Sequence, residues 1–346
     1  MTKPNEKWAR IVIVSYNSGS DLQTCIDSLA AQTCQDFEVT VVDNASPDTA
    51  IRDLKLPNDR YEIYYSTDNM GFAKGSNLGA KFARTEWIIT LNPDAWPEPE
   101  WLDTLKTAST AHPAFSMLST TLLQTNEPTK LDGIGDYLTI FGVAKSSGWG
   151  HPKSSAPAHP VEVFGPCGAA AGYRRDIFEK CGGFDDSFFC YLEDVDLSYR
   201  LRLYGEKCLL CPDARATHVG SSSTEKHSGF KFYHSHKNNF SLIIKNTPLV
   251  LLLVMLPLFL ASQIWIIYRN RNHPNSDARV AGFKDGMKSI PGIIKKRRRA
   301  ISGRQIGSWN LAKRLSWTIG SARESAIVFW PIEATKKSEI YLDTPE

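Results

Sequence analysis

Three carboxylates fall within four positions, Glu193, Asp194 and Asp196, between an aromatic run (Phe188, Phe189, Tyr191) and an apolar pattern at Leu197, Leu201 and Leu203 that stops at Gly205. The spacing predicts a helix that begins with acid. Acid at a helix start is favourable dipole chemistry in itself, worth up to ~1 kcal/mol. Set in a cleft, one such group can take a proton from a hydroxyl. Asp194 and Asp196 point about 200° apart on a helix, so they do not share a pocket, and Asp196 is spaced to pair with Arg200 one turn on. Asp43 and Asp94 each follow directly on an apolar run. Either alone reads as an Asx-turn, but two at equivalent strand ends face one crevice of an open α/β sheet. His218 on its own reads as a structural or exposed histidine.

The elements that must position these groups alternate. Residues 10–15, 37–42, 61–65 and 87–91 read as strands, the first a β-branched run without polar alternation that suits burial on both faces. Helices are expected between them, one opening at Ser20 with the S-x-x-Q form of a capping box and reaching about Gln32, another over 71–84. This order predicts an α/β fold with a mostly parallel central sheet flanked by helices and right-handed crossovers. Glycines at 71, 75 and 79 line one helix face, which either lets a sheet approach closely or leaves a helix N-terminus open to phosphate. No dinucleotide G-x-G-x-x-G follows a strand. Further on the pattern weakens: 101–107 reads as helix, 115–123 as strand, 175–181 as a short helix, 207–211 as strand and 214–224 as loop. The run Gly165 to Gly172 is nearly all small side chains, for tight packing or for room beside a substrate.

The 346 residues are 42% hydrophobic, enough for a real core. Net charge is only +3, yet from Arg269 onward 16 Lys/Arg face 7 Asp/Glu, leaving the front mildly acidic and the tail strongly basic. Two different partners are implied. Seven cysteines include a single C-x-x-C, Cys208 and Cys211, which suits reduced thiols in a cytosolic setting, and the first eight residues carry no apolar signal core. Residues 248–268 contain no charge and would be ~31 Å long as a helix, matching a bilayer core. Pro257 in the middle and basic residues on both sides favour a Pro-bent segment in the cytoplasmic leaflet over a simple span, with the basic tail on anionic headgroups. The expected division is a catalytic domain at 8–240 and a membrane-associated helical region at 241–346. No nucleic-acid module accompanies the pentabasic run at 295–299.

Six motifs occur in one order: Ile13-Val-Ser-Tyr-Asn17, Val42-Asp-Asn-Ala-Ser46, Asn69-x-Gly-Phe-Ala-x-Gly-x-Asn77, Leu91-Asn-Pro-Asp94, Gly182-Gly-Phe-Asp185 and Glu193-Asp-Val-Asp-Leu197. Together they resemble the family 2 glycosyltransferases with the GT-A fold, over roughly residues 8 to 225. With Asn-Pro-Asp-Ala and Thr-His-Val-Gly, the chain looks most like bacterial rhamnosyltransferases of surface polysaccharide assembly. The resemblance implies a nucleotide-sugar donor, dTDP-rhamnose being favoured, bound by Tyr16, Asn17, Asp43, Asn69, Gly71, Asn77 and Asp94. It implies Mg²⁺ or Mn²⁺ on Asp94 and His218, with diphosphate oxygens and water completing the shell. Asn92 stands where the two-acid metal motif has its first carboxylate, leaving one formal charge fewer. Asp194 becomes the catalytic base, with Gly168 and Glu193 toward a lipid-linked or polysaccharide acceptor. A sugar nucleotidyltransferase and a non-catalytic membrane scaffold are the competing readings.

Overall fold

The computed structural model describes residues 7–49, 51–220, 228–323 and 325–332. Part of the loop expected after His218, and residues 333–346, lie outside them. The chain runs β1 (Ala9–Ser15), α1 (Asp21–Ala30), β2 (Phe37–Asp43), β3 (Tyr61–Tyr65), α2 (Gly71–Ala80), β4 (Trp87–Leu91), β5 (Ala95–Pro97), α3 (Trp101–Ala111) and β6 (Met117–Gln124). Three short strands, β7 (Leu131–Gly133), β8 (Asp136–Leu138) and β9 (Ala144–Ser146), precede β10 (Val161–Val163), β11 (Ala170–Arg174), α4 (Arg175–Cys181), α5 (Glu193–Leu203) and β12 (Cys208–His218). Helices α6 (Ser228–Phe240), α7 (Leu249–Arg269), α8 (Ser276–Ser302), α9 (Ser308–Ala312) and α10 (Ile319–Arg323) follow.

The main sheet has the order β10-β12-β6-β11-β4-β1-β2-β3. Its first half is parallel, β1 pairing with β2 and β4, and β2 with β3. The β-branched residues of β1 are buried on both faces, as a central parallel strand requires. β11 enters antiparallel between β4 and β6, and β12 runs parallel to β6. β11 lies in the small-residue run, where alanine and glycine gave no β signal; Gly172 faces Leu118 of β6 so closely that an added Cβ would sit 3.1 Å from it.

Two local expectations change. Ser20 makes no side-chain cap, and the Gln23 side chain does not reach back to it: its Oε1 accepts from Lys55 N–H at 2.8 Å and its amide donates to Asp27. The glycine stripe of α2 lies on the sheet, a Cβ at Gly75 falling 2.9 Å from Val14, so close helix–sheet packing accounts for it. Residues 81–84 leave the helix.

A third core joins α5 to the C-terminal helices. Phe164, Val195, Tyr199 and Leu203 pack with Phe240, Ile243, Met255, Phe259 and Ile293. α7 runs as one 21-residue helix through Pro257, burying Leu251, Met255, Phe259 and Gln263 at four-residue spacing. Its other side leaves Leu249, Val250, Leu253, Val254, Ile264, Trp265 and Tyr268 exposed.

Beneath α5 sits a buried charge cluster. Asp196, 0% exposed, accepts from Arg200 Nε at 2.9 Å, Lys245 Nζ at 2.8 Å and Asn246 Nδ2 at 2.7 Å. Lys245 and Lys296 also hold Asp185, at 2.5 and 2.8 Å. Burial alone would raise the Asp185 pKa, but these ammonium groups hold its carboxyl far below the usual range. The basic run is therefore partly structural. A carboxyl with a depressed pKa contributes stability that is present above its unfolded pKa and lost as pH falls. Lys245→Met is expected to cost about 3 kcal/mol at pH 7 by urea denaturation, since it takes one cation from both Asp185 and Asp196 and leaves buried negative charge less compensated. The gap should narrow as pH falls below about 4, where Asp185 protonates in the unfolded chain and its depressed native pKa ceases to stabilise the fold; a small loss independent of pH would contradict the account.

Candidate active site

The approach to α5 is bent. Phe189, Tyr191 and Leu192 hold φ of 61°, 69° and 69°, left-handed values that cost bulky residues about 1–3 kcal/mol each. One amide holds them: Asn238 Nδ2 of α6 donates to the carbonyls of Phe188, Cys190 and Tyr191 at 2.9, 3.0 and 2.9 Å. Ala73 N–H of α2 donates to Phe189 O at 3.2 Å. Across from α5, Gly165 faces Ser198 and Gly168 faces Asp194, so the two glycines let the helix close on the chain before β11. Gly168 N–H donates to Asp194 Oδ2, and Val195 N–H to Oδ1, each at 2.8 Å. Burial raises the Asp194 pKa, although those N–H groups pull it back. Glu193 is 6% exposed, its Oε2 has no hydrogen-bond partner among the described residues, and burial followed by the Asp194 charge raises its pKa well above the usual range.

The end of β4 lies alongside. Thr90 Oγ1 donates to Gly168 O at 3.0 Å and Asn92 N–H to Ala169 O at 2.8 Å, tying the Asn92-Pro-Asp94 turn to the segment that clamps Asp194. His218 is the last residue of β12, a strand that continues past a register shift between Cys211 and Arg215 where a loop was expected. It pairs with Ala95 of β5. Its Nε2 lies 3.5 Å from Asp94 Oδ1 and 3.4 Å from Asn92 Nδ2, while Nδ1 is 2.8 Å from Asp132 Oδ2. Burial alone would lower the His218 pKa, but the carboxylates of Asp132 and Asp94 push it up to about 9. An oxygen and a nitrogen at that separation could share one cation. A carboxylate on the far ring nitrogen is the arrangement that fixes a metal-binding imidazole, so the residues fit a divalent ion.

The third group of residues surrounds Asp43, whose Oδ1 accepts from Ser46 N–H at 3.1 Å at the end of β2. Tyr16 is exposed just beyond β1, and Asn17, with φ of 52°, donates its N–H to Ser46 Oγ. Asn69 accepts from Gly71 N–H and from Asn44, and Asn44 accepts from Met70 N–H. The first N–H groups of α2 thus have protein acceptors. Asn77 lies apart, bonded to Phe184 and Asp186. Sequence reasoning missed Asn44, Asp132, Asp136 and Asn238; of these only Asn44 stood inside a quoted motif.

A profile of glycosyl transferase family 2 matches residues 10–182, half of the sequence. The chain belongs to glycosyl transferase family 2. This family 2 glycosyltransferase is 26% identical over 258 residues to N-acetylglucosaminyl-diphospho-decaprenol L-rhamnosyltransferase of Mycobacterium tuberculosis, covering 66% of this chain and 82% of that one. It is 29% identical over 228 residues to the O-antigen biosynthesis protein RfbC of Myxococcus xanthus, covering 61% of this chain and 17% of that one. With the low-salt glycan biosynthesis hexosyltransferase Agl10 of Haloferax volcanii it shares 26% identity, over 66% of this chain and 73% of that one. The crystal structure of GalNAc-T7 with UDP, GalNAc and Mn²⁺ superposes with a TM-score of 0.59 at 17% identity, covering 85% of this chain and 58% of that one. That likeness bears on the fold, which is of the GT-A type.

The Asn238 clamp carries a prediction for this glycosyltransferase. Asn238→Ala leaves three carbonyls without their shared donor and should cost about 1–3 kcal/mol, read as a lowered Tm, with faster proteolytic cleavage within 188–192. An unchanged Tm and cleavage pattern would show that the bend holds itself.

Proposed function

We propose that this chain is an inverting glycosyltransferase that moves a sugar, L-rhamnose from dTDP-rhamnose, to a hydroxyl of a lipid-linked or growing cell-surface glycan. The observation that carries the reading is the tie, through Thr90 and Asn92, between the Asp94–His218 pair and the backbone clamp on Asp194. The choice of sugar and of a lipid-linked acceptor rests on the Mycobacterium tuberculosis relative.

In the transfer, the acceptor oxygen bonds to the anomeric carbon as the bond from that carbon to the diphosphate oxygen breaks. The hydroxyl proton passes to Asp194, and the nucleoside diphosphate departs with the electron pair. Two backbone N–H groups orient Asp194 and burial raises its proton affinity, the combination a general base needs. Burial pushes the Glu193 carboxyl toward its neutral form, in which it can offer an O–H to the acceptor. Asp43 and the exposed Tyr16 beside it serve the nucleotide. Asp94 and His218 would hold Mg²⁺ or Mn²⁺, which when bound supplies positive charge for the leaving diphosphate. Asp132 keeps the far nitrogen of His218 engaged, so that Nε2 faces the ion.

The membrane reading rests on α7 and α8. α7 seats one stripe on the protein and turns an apolar face outward, with Arg269 over Trp265 and Arg271 over Tyr268 at its end. Lys295 and Arg298 of α8 are exposed. This pattern suits a helix lying in the cytoplasmic leaflet against anionic headgroups.

Purified protein with dTDP-L-rhamnose, decaprenyl-diphosphate-linked N-acetylglucosamine and Mn²⁺ should release dTDP. Asp194→Asn should lower kcat by at least ~10²-fold with the donor KM little changed, and excess chelator should abolish release. Full activity of Asp194→Asn would overturn the base, and activity in chelator the metal. Pyrophosphate as product would mean nucleotidyl transfer.

A further inference from the structure

Behind Asp194 lies a second carboxylate that the transfer scheme does not use. Asp136, the first residue of β8, is 7% exposed. Its N–H donates to Gly165 O at 2.8 Å, and Gly165 is the residue on which Ser198 of α5 packs. The strand is thus set against the same helix that carries Asp194. A carboxyl oxygen of Asp136, one of Asp194 and Cys167 Sγ all lie within 4.8 Å of one another. Two carboxylates can bond each other only if one keeps a proton, and two adjacent negative charges do not coexist in a buried site.

We propose that Asp136 keeps that proton and shares it with Asp194 only as a hydrogen-bond donor, so that Asp136 is a positioning residue that holds the base ionised and aimed at the acceptor. The inference rests on Asp194 being the base. Hydrogen bonding decides which carboxyl is charged. Asp194 accepts two backbone N–H bonds that favour its ionised form, whereas Asp136 has only desolvation and negative neighbours, which favour its neutral form. The groups facing the pair are Glu193 beside Asp194, Asp132 of β7, Cys167 and Tyr173. None of them is a cation, and among the described residues no Lys, Arg or His forms an ion pair with Asp136 or Asp194. A single proton shared between the two carboxyls would remove the repulsion. The arrangement also explains how a half-buried aspartate can stay ionised without a partner charge: the acid behind it supplies a donor and no repulsion.

The test compares Asp136→Asn, which retains a donor, with Asp136→Leu, which has a similar shape and none. In the dTDP-release assay, the acid limb of kcat/KM should stay in place for Asp136→Asn. For Asp136→Leu it should move up by about one pH unit or more, because losing a hydrogen bond to the ionised form raises the base's pKa. A downward move in Asp136→Asn would overturn the proposal, since it would mean that a negative charge had been removed. An acid limb unmoved in Asp136→Leu, with kcat reduced, would reduce Asp136 to a structural role. If Asp136→Leu fails to fold by circular dichroism, infrared difference spectroscopy decides without any substrate. The spectrum of wild type minus Asp136→Asn at pH 7 should contain a protonated-acid carbonyl band that shifts in D₂O, and its absence would overturn the proposal. The band persisting while Asp194→Asn keeps full activity would instead overturn Asp194 as the base and leave the shared proton standing.

Discussion

Helix α5 can carry Asp194 in its first turn only because Asp196, two residues on, is neutralised in the interior. A bare carboxylate at that depth would cost several kcal/mol. Arg200 from the same helix and Lys245 from the turn after α6 remove that cost, and Lys245 extends the neutralisation to Asp185 in the loop before the helix. The C-terminal helices are therefore part of the active-site framework. The third core, the Asn238 clamp and the Lys296 pair all reach from residues after 227 into the 185–203 stretch. The surface turned outward on α7 belongs to the same set of C-terminal helices that packs on the 185–203 stretch.

Three carboxylates in four residues have three different environments. Glu193 is buried with one oxygen unpartnered among the described residues, and its pKa is pushed up; Asp194 is half-buried and solvated by backbone N–H groups; Asp196 is buried among cations. Sequence proximity says nothing of this division, which follows from the 100° step of the helix and from what each face meets. Gly168 matters in the same way. The absence of a side chain at 168 has a physical reason, since an added Cβ would sit 3.1 Å from Asp194 Oδ2. Its N–H is the donor that sets the carboxylate's direction.

Much of the fold was legible. The strands that carry Asp43 and Asp94 announced themselves as β-branched runs, and the helix starting at Glu193 by its leucine spacing and its Gly205 stop. The i+4 pair of Asp196 with Arg200 followed from helix geometry. Residues 124–146 gave little, because strands of three residues have no measurable period, and Asp132 and Asp136 lie there. Their roles come from partners 86 residues away, in the case of Asp132 and His218, and on a different element, in the case of Asp136 and Asp194. β11 was hidden by its alanines, and His218 looked like loop because Pro212 and Asp213 interrupt the strand that carries it. The capping box at Ser20 failed for a similar reason: a long-range bond to Lys55 won Gln23 over the local one.

The central claim is that leaving-group charge is met at Asp94 and His218 while Asp194 stays free of metal to act as base. The most direct measurement is a crystal structure with Mn²⁺ and dTDP, using anomalous scattering to find the ion. The account predicts one manganese peak between Asp94 and His218 Nε2, bridging to the diphosphate, with Asp194 still bonded to Gly168 N–H. A peak held instead by Asp136, Cys167 and Asp194 would contradict it.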